Sequence, residues 1–214
     1  MKVVVILSGG PDSATVTYRA KSQGYDVYAI TFDYGQIASK ETSHAKMIAK
    51  KLDVSHKIVD LSSLRDVFGE ATALMNETIP MPSEFKPVII VPFRNAIFLS
   101  IAVAYAASIG AIKVLYGAHG SDAPHYPDCR EEFYRAFQTV ARLGTETQIE
   151  IDAPFHRMKK SEILTFGAKL GVPYEFTWSC YLNKDLHCGV CESCLNRKKA
   201  FADAKLDDHT PYEK

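Results

Sequence analysis

The segment SGGPDS, Ser8 to Ser13, joins an apolar run to a helical stretch and is rich in groups that bind anions. Its glycines let the backbone approach an anion closely, its serines supply hydroxyl donors, and the following helix points free N–H groups at the loop. It lacks the Gly-Lys-Ser ending of the common nucleotide-triphosphate loop. Asp12 would repel a phosphate unless a divalent cation or the helix N-terminus offsets its charge. The pattern favours a phosphate site, and the alternative is an ordinary turn capped by Asp12.

A second group of reactive side chains is a cluster of cysteines near the C-terminus, within CYLNKDLHCGVCESC (180–194). The C-x₇-C-x₂-C-x₂-C spacing brings four thiolates to one knuckle, and four protein ligands leave no open position, so zinc there would be structural. An iron–sulfur cluster is the alternative, although the spacing differs from that of bacterial ferredoxins. His187 is adjacent to one cysteine and could substitute as a ligand. The predicted ligands are Cys180, Cys188, Cys191 and Cys194.

Three further segments carry polar residues suited to a ligand site. FDYGQ (32–36) follows an apolar run, and it is either a nucleotide contact or a simple turn. Arg94 and Asn95 begin an apolar helical stretch, where a guanidinium and an amide can face a ligand. Asp122 and Asp128 lie in a polar loop, and a carboxylate can accept hydrogen bonds from N1–H and the 2-amino group of a guanine-like base.

Two other side chains near these segments have open interpretations. Cys129, the fifth cysteine, is either part of the site or a small apolar residue at a helix start. Lys160 begins an amphipathic stretch, where its cation could stabilise charge on a departing pyrophosphate. The alternative for Lys160 is a solvated surface lysine.

Apolar β-branched runs alternate with helical stretches, which predicts an α/β fold, doubly wound around a mainly parallel sheet. Such sheets bind ligands beyond the carboxyl ends of their strands. Residues 88–91 are a short strand or an extended run, and 69–87 are irregular and interpreted as a mobile flap. The helix over 95–109 is expected to bury Ile97, Ile101, Ala104 and Ser108. The predicted strands are 3–7, 27–32, 56–61, 112–117 and 148–152, and the helices are 13–23, 39–52, 95–109, 131–143 and 160–170.

Composition limits the function classes. The chain has 214 residues, 47% of them hydrophobic and 23% charged, which suits one large domain or a domain with an appendage. With 25 basic and 25 acidic side chains the net charge is zero, whereas nucleic-acid binders usually carry a basic excess. We see no apolar run of about 18 residues and no signal-peptide pattern. We therefore expect a cytoplasmic protein with no membrane and no direct nucleic-acid partner.

The SGGPDS segment resembles the loop of ATP pyrophosphatases, which split ATP between its α and β phosphates and adenylate an oxygen before a nitrogen or sulfur nucleophile displaces AMP. The resemblance implies a Rossmann-like fold of the adenine nucleotide alpha hydrolase type. It also implies catalytic roles for Asp12, Ser13 and Lys160. The implied ATP-binding residues are Leu7, Ser8, Gly9, Gly10, Pro11, Asp12, Ser13, Ala14, Thr15, Val16, Thr17, Asp33, Tyr34 and Gln36.

Nearly the whole chain resembles the 7-cyano-7-deazaguanine synthase family of the queuosine and archaeosine pathways. The motifs that carry this resemblance are LSGGPDSAT, DYGQ, FRNAIFLSIA, YPDCREEF, PYEFTWSCY, CGVCESCLNRKKAF and DDHTPY. It implies that 7-carboxy-7-deazaguanine, ammonia and ATP give the nitrile, with Mg²⁺ on the phosphates and structural Zn²⁺ on the cysteines. The substrate would lie near Arg94, Asn95, Asp122, Asp128 and Trp178.

The family resemblance also implies a domain organisation, and it leaves alternative functions open. We expect an ATP-pyrophosphatase-type domain over 1–175 and a zinc-binding segment over 176–214 packed on it. Two departures from the family pattern are His119, where an amide is usual, and Phe93, where a smaller residue is common. A homodimer stays open, and so do a tRNA thiolation enzyme of the same superfamily and a non-catalytic zinc-containing nucleotide-binding module.

Overall fold

The computed structural model describes residues 1–213, and within that range five parallel strands form one sheet in the order β3-β2-β1-β4-β5. This order, with helices on both faces, is that of the doubly wound α/β fold, so the predicted fold class is confirmed. The strands are β1 (Lys2–Ile6), β2 (Asp26–Asp33), β3 (Ser55–Asp60), β4 (Lys113–Leu115) and β5 (Glu150–Asp152). The helices are α1 (Pro11–Ser22), α2 (Lys40–Lys51), α3 (Leu64–Phe68), α4 (Arg94–Ile109), α5 (Glu131–Thr145), α6 (Lys160–Lys169) and α7 (Glu192–Ala204).

The central strand β1 is apolar after Lys2, its exposed first residue, because both faces of the sheet are covered. Successive side chains of a strand point to opposite faces. Val3 and Val5 are fully buried in a cluster that includes side chains of α1 and α6. Val4 and Ile6 lie in the cluster on the other face, with side chains of α4 and α5. The first loop therefore leaves the sheet from its most buried strand, which fixes the loop's position.

The prediction for the buried face of α4 is wrong. Its fully buried residues are Leu99, Ala102 and Ala106, which follow one another at spacings of three and four and pack in the core cluster of the sheet. The helix is apolar on nearly every side, so the sequence period does not single out the face that meets the sheet. The residues predicted to face the core are partly or fully exposed, and they are Ile97, Ile101, Ala104 and Ser108.

The stretch Pro87–Ile109 is long and apolar enough, by length and composition alone, to cross a membrane, contrary to our expectation from the sequence. In the fold it is two pieces, a 3₁₀ turn at Pro87–Ile89 and helix α4. Phe93, between them, has a left-handed backbone with φ of 57°. Helix α4 has 16 residues, or about 24 Å at 1.5 Å per residue, and its inner side is buried against the sheet.

The segment 69–87 contains neither α-helix nor strand, as predicted, and only its last residue, Pro87, belongs to a 3₁₀ turn. It is nevertheless anchored, because Leu74 and Met75 are buried in the same core cluster as α4, and Ala73 beside them is also buried. Further along, the carbonyl of Pro82 accepts a hydrogen bond from the Glu192 N–H at 3.0 Å. The segment thus links the core to the start of α7, and its mobility stays a prediction.

The C-terminal segment shares the main core. Ala200 and Phe201 of α7 are buried in one cluster with Leu7 and Ala14, the residues that flank the first loop. The Trp178 N–H donates to the Gly9 carbonyl at 2.9 Å. The segment is therefore packed directly against the loop that follows β1, while the division at residue 175 stays a prediction.

Candidate active site and cysteine cluster

A cavity of about 260 Å³ lies beyond the carboxyl ends of β1, β2 and β4. Strands β1 and β4 are neighbours in the sheet, and the chain reverses its direction of progress across the sheet between them. Doubly wound folds bind ligands at such a switch point. The cavity is walled by the first loop, the turn after β2, the start of α4, the loop after β4, and residues 178–181 of the C-terminal segment.

The first loop folds back on itself through its two serines. The Ser8 N–H donates to Ser13 Oγ at 3.1 Å, and the hydroxyl of Ser13 donates to the Gly10 carbonyl at 3.1 Å. Gly9 has φ of +88°, and a Cβ there would collide with the backbone carbonyl of Glu41 in α2. Only glycine satisfies both conditions, since a side chain would meet strain and a clash. The loop is therefore preshaped, with the α1 N-terminus at the cavity.

Half of the predicted ATP-binding residues line the cavity and half do not. Thr15 illustrates why, because its hydroxyl donates to the Pro11 carbonyl at 2.8 Å and lies 3.0 Å from the Tyr174 hydroxyl, inside the fold. The residues that line the cavity are Ser8, Gly10, Pro11, Asp12, Ser13, Tyr34 and Gln36. The others lie behind the first loop or, for Asp33, at the end of β2, and they are Leu7, Gly9, Ala14, Thr15, Val16, Thr17 and Asp33.

Four titratable side chains meet beside the first loop. Lys160 Nζ lies 3.1 Å from Asp12 Oδ2. His119 Nε2 lies 3.3 Å from Asp122 Oδ2 and 3.8 Å from Asp12 Oδ2. His119 reaches this position because the loop after β4 continues the sheet briefly, bridging to Phe155. The cluster places one ammonium group and two carboxylates beside the first loop, inside the cavity.

Burial and neighbouring charges set the protonation of this cluster. Burial alone would raise the pKa of Asp12, but Lys160 and His119 outweigh it and lower that pKa. Burial raises the pKa of Asp122, against the opposing effect of His119. For Lys160, burial would lower the pKa, and the two carboxylates raise it instead. Within residues 1–213, the buried Oδ1 of Asp12 has no hydrogen-bond partner, so this oxygen is free to bind a ligand.

The residues predicted to contact the substrate lie together, but two of them are already hydrogen-bonded to each other. The Asn95 N–H donates to Asp128 Oδ2 at 3.0 Å, and its side-chain amide donates to the Asp128 carbonyl at 3.3 Å and contacts Cys129 Sγ at 3.4 Å. Asp128 thus satisfies a free N–H at the start of α4. Arg94 Nη1 donates to the Tyr34 hydroxyl at 3.0 Å, beside the cavity.

The C-terminal segment supplies an aromatic wall. Trp178 is buried and lines the cavity, and its indole N–H donates to the Cys180 carbonyl at 2.7 Å. Its ring packs against His187, with centroids 4.1 Å apart. The Tyr181 hydroxyl donates to Glu192 Oε2 at 3.2 Å. The geometry of the cysteine segment therefore determines the shape of the cavity.

The four predicted cysteines form a buried cluster, which confirms that the segment could hold a metal ion. Their sulfur atoms all lie within 4.8 Å of one another. Cys188 and Cys194 Sγ are 3.9 Å apart, close to the edge of about 3.8 Å of a tetrahedron with metal–sulfur bonds of about 2.3 Å. The Cys191 N–H donates to Cys188 Sγ at 3.3 Å, which orients this sulfur within the cluster. His187 is not needed as a ligand, because its Nε2 accepts the Ser179 N–H at 3.0 Å.

Several cavity residues were missed from the sequence. His119 was noted only as a departure from the family pattern, and Glu41 was not considered because it lies inside a helix. Position just after the carboxyl end of β4 is a signal for Tyr116 and His119, whereas Glu41 carries no such signal. The missed lining residues include Glu41, Phe98, Tyr116, His119, Tyr126, Ser179, Tyr181 and Ser193.

Comparison with known proteins identifies the family. The family model described as "Queuosine biosynthesis protein QueC" matches residues 2–205. The chain belongs to the QueC family. Among its relatives, the 7-cyano-7-deazaguanine synthase of Caldicellulosiruptor saccharolyticus is 44% identical, over 100% of this chain and 96% of that protein. The protein of the same name from Archaeoglobus fulgidus is 46% identical, over 94% of this chain and 86% of its own length.

Solved structures agree with the QueC-family fold. A 4-thiouridine synthetase in complex with RNA and bound ATP aligns with a TM-score of 0.57 at 18% identity, over 95% of this chain and 50% of that one. The NH₃-dependent NAD synthetase of Campylobacter jejuni aligns with a TM-score of 0.52 at 21% identity, over 82% and 66%. At these identities the likeness shows the fold alone, which is that of adenine nucleotide alpha hydrolases.

Proposed function

We propose that this protein is a 7-cyano-7-deazaguanine synthase, an ATP-dependent ligase that converts 7-carboxy-7-deazaguanine and ammonia to the nitrile. ATP activates the carboxylate, ammonia displaces AMP to give the amide, and a second activation of the amide leads to the nitrile. The observation that carries the proposal is one cavity that joins a phosphate loop with Lys160 to a separate aromatic wall, in a chain whose full-length relatives bear this name. The reaction belongs in the cytoplasm.

The phosphate end of the cavity is the first loop with Lys160. Ser8, Gly10 and Ser13 present N–H and hydroxyl groups, and the Lys160 ammonium offsets the charge that develops as pyrophosphate leaves. The Asp12 oxygen without a partner and the carboxylate of Asp122 fit Mg²⁺, which prefers one or two carboxylates together with substrate phosphates. When bound there, Mg²⁺ would neutralise part of the phosphate charge.

The base end of the cavity lies toward α4 and the C-terminal segment. Trp178 and Tyr181 offer aromatic surface, and Arg94 offers a guanidinium that can pair with the substrate carboxylate. Asp122 lies near Lys160 and therefore belongs with the phosphates. Asp128 uses Oδ2 for the helix, so its Oδ1 is the acceptor we assign to the N1–H and 2-amino group of the deazaguanine.

The cysteine cluster would hold zinc in a structural role. Four thiolates at tetrahedral spacing close the coordination sphere, so no position is open for a reacting water. The metal would hold residues 178–181 in place and with them the aromatic wall. An iron–sulfur cluster is the alternative that metal analysis excludes or establishes.

Pyrophosphate release tests the assignment. We expect release from ATP to depend on 7-carboxy-7-deazaguanine, and AMP to accumulate when ammonium is also present. Activity with tRNA and a sulfur donor, and none with the deazaguanine, would instead establish the thiolation alternative. Nucleotide binding without turnover under any of these conditions would support the non-catalytic module.

A further inference from the structure

Four carboxyl groups line the cavity, and one of them forms no ion pair among the residues that the structure describes. Glu41, in the first turn of α2, forms no ion pair within 4.0 Å among the residues that the structure describes. The other three are engaged by Lys160, by His119 or by a backbone N–H, as described above. These three are Asp12, Asp122 and Asp128.

The position of Glu41 is set by the first loop and the turn after β2. Its backbone carbonyl packs against Gly9, which brings the start of α2 beside the phosphate site. Gln36 Oε1 accepts the Tyr34 N–H at 2.9 Å, and this orientation turns the Gln36 amide nitrogen to donate to the Glu41 carboxylate. Glu41 therefore lies between the first loop, which we assign to the ATP phosphates, and the residues of the base end.

The surroundings of Glu41 bring the pKa of its carboxyl group close to neutral pH. Burial raises the pKa of Glu41 to about 7, against the opposing effects of Arg94 and the Gln36 hydrogen bond. Tyr34, from the turn after β2, is neutral, since burial raises its pKa to about 12. Arg94, from α4, is the cation whose charge lowers this pKa. A carboxyl group in this state can both accept and release a proton at neutral pH.

We propose that Glu41 is the general base that takes a proton from ammonium when the nitrogen attacks the activated substrate carboxylate, an inference that rests on the proposed function. At neutral pH ammonia is mostly ammonium, which has no lone pair. Transfer of one proton to the Glu41 carboxylate frees the lone pair, and the C–N bond forms while the C–O bond to AMP breaks. AMP leaves with that electron pair, and the nitrogen releases a second proton to water as it becomes the amide.

The test separates activation from amination in Glu41→Gln. Exchange of labelled pyrophosphate into ATP, with 7-carboxy-7-deazaguanine and no ammonium, measures activation alone, and we expect it to match the wild type. Amination with ammonium should fall about 10²-fold, the usual contribution of a general base. Hydroxylamine is largely neutral at pH 7, so its capture of the activated acid should be unaffected by the substitution.

The pH profile gives a second readout. Wild-type amination should rise to a plateau with a midpoint near pH 7, because the base form of Glu41 increases through its pKa. In Glu41→Gln the rate should follow free ammonia and continue to rise about tenfold per pH unit. Glu41→Asp should recover part of the ammonium rate, and Glu77→Gln, an exposed carboxyl outside the cavity, serves as the matched control.

Two results would overturn the proposal. One is an equal loss of pyrophosphate exchange and amination in Glu41→Gln, which would make Glu41 a nucleotide-positioning residue. The other is an equal loss of ammonium and hydroxylamine capture. Absence of exchange in the wild type would instead refute the proposed function itself, so the two failures can be told apart.

Discussion

Replacing Arg197 with methionine should destabilise the fold strongly, because this buried charge is bonded to several segments of the chain. Arg197 is completely buried in α7, and its guanidinium binds Asp208 twice, with Nε–Oδ2 at 3.0 Å and Nη2–Oδ1 at 3.1 Å. Nη1 donates to the Thr177 hydroxyl at 2.8 Å and to Ser179 Oγ at 3.2 Å, and Nη2 donates to the Tyr174 carbonyl at 3.0 Å. One side chain thus connects α7, the C-terminal tail and the irregular segment that carries Trp178 and Cys180.

The magnitude follows from what the substitution leaves behind. Removing one partner of a buried ion pair costs about 3–5 kcal/mol, because the other charge remains buried and unpaired. A chain of this size loses about 2–4 °C of melting temperature per kcal/mol, so we expect a decrease of about 6–20 °C. Arg197→Lys keeps the charge but cannot reproduce the planar guanidinium contacts. Its melting temperature should lie between those of the wild type and Arg197→Met.

Thermal unfolding of the metal-loaded protein, monitored by circular dichroism, measures this effect. Replacing both partners, as in Arg197→Met with Asp208→Leu, should recover much of the loss, since no unpaired charge then remains. Burial alone would raise the pKa of Asp208, but the bonds from Arg197 outweigh it and lower that pKa. This contribution is therefore present above about pH 4 and lost as pH falls further. If Arg197→Met lowered the free energy of unfolding by less than about 1 kcal/mol, the reasoning would be refuted.

The other predictions concern the metal and the phosphate end of the cavity. Cys191→Ser should lose bound zinc and thermal stability together, and iron with labile sulfide in the wild type would show that the cluster is not a zinc site. Lys160→Met should lower pyrophosphate exchange about 10²–10³-fold with zinc content unchanged, and near-normal exchange would remove Lys160 from the phosphate site. Asp122→Asn should raise the Mg²⁺ concentration needed for exchange, whereas Asp128→Asn should weaken deazaguanine binding. If Asp122→Asn weakened deazaguanine binding and Asp128→Asn raised the Mg²⁺ requirement, the two assignments would have to be exchanged.

The sequence was sufficient to predict the architecture because apolar strand segments and helical stretches alternate clearly along it. The run VVVIL at 3–7 is buried on both faces of the sheet, and Gly24, expected to end α1, has φ of +80° just beyond it. Strands 112–117 and 148–152 were predicted too long, since only Lys113–Leu115 and Glu150–Asp152 pair. Residues just beyond a pairing segment have the same apolar character as the segment itself, so composition does not mark the last hydrogen bond.

The site was predictable where chemistry lies in a contiguous motif and not where it depends on long-range packing. The four cysteines are close in sequence and meet in space, which spacing alone indicated. Asp128 was expected to recognise the base, yet one of its oxygens binds the start of α4, a contact between residues 33 positions apart. Arg197 stood in a basic run with no visible role, and only the fold shows that it is fully buried.

The most direct test of the central proposal is the identity and stoichiometry of the product. The protein, loaded with metal, is incubated with 7-carboxy-7-deazaguanine, ¹⁵N-labelled ammonium, ATP and Mg²⁺, and the mixture is analysed by mass spectrometry. Because conversion of acid to amide and of amide to nitrile each removes one water, we expect one labelled nitrogen in 7-cyano-7-deazaguanine and two AMP formed for each nitrile. A product without the label, formation of ADP in place of AMP, or no reaction of the deazaguanine at all would contradict the account.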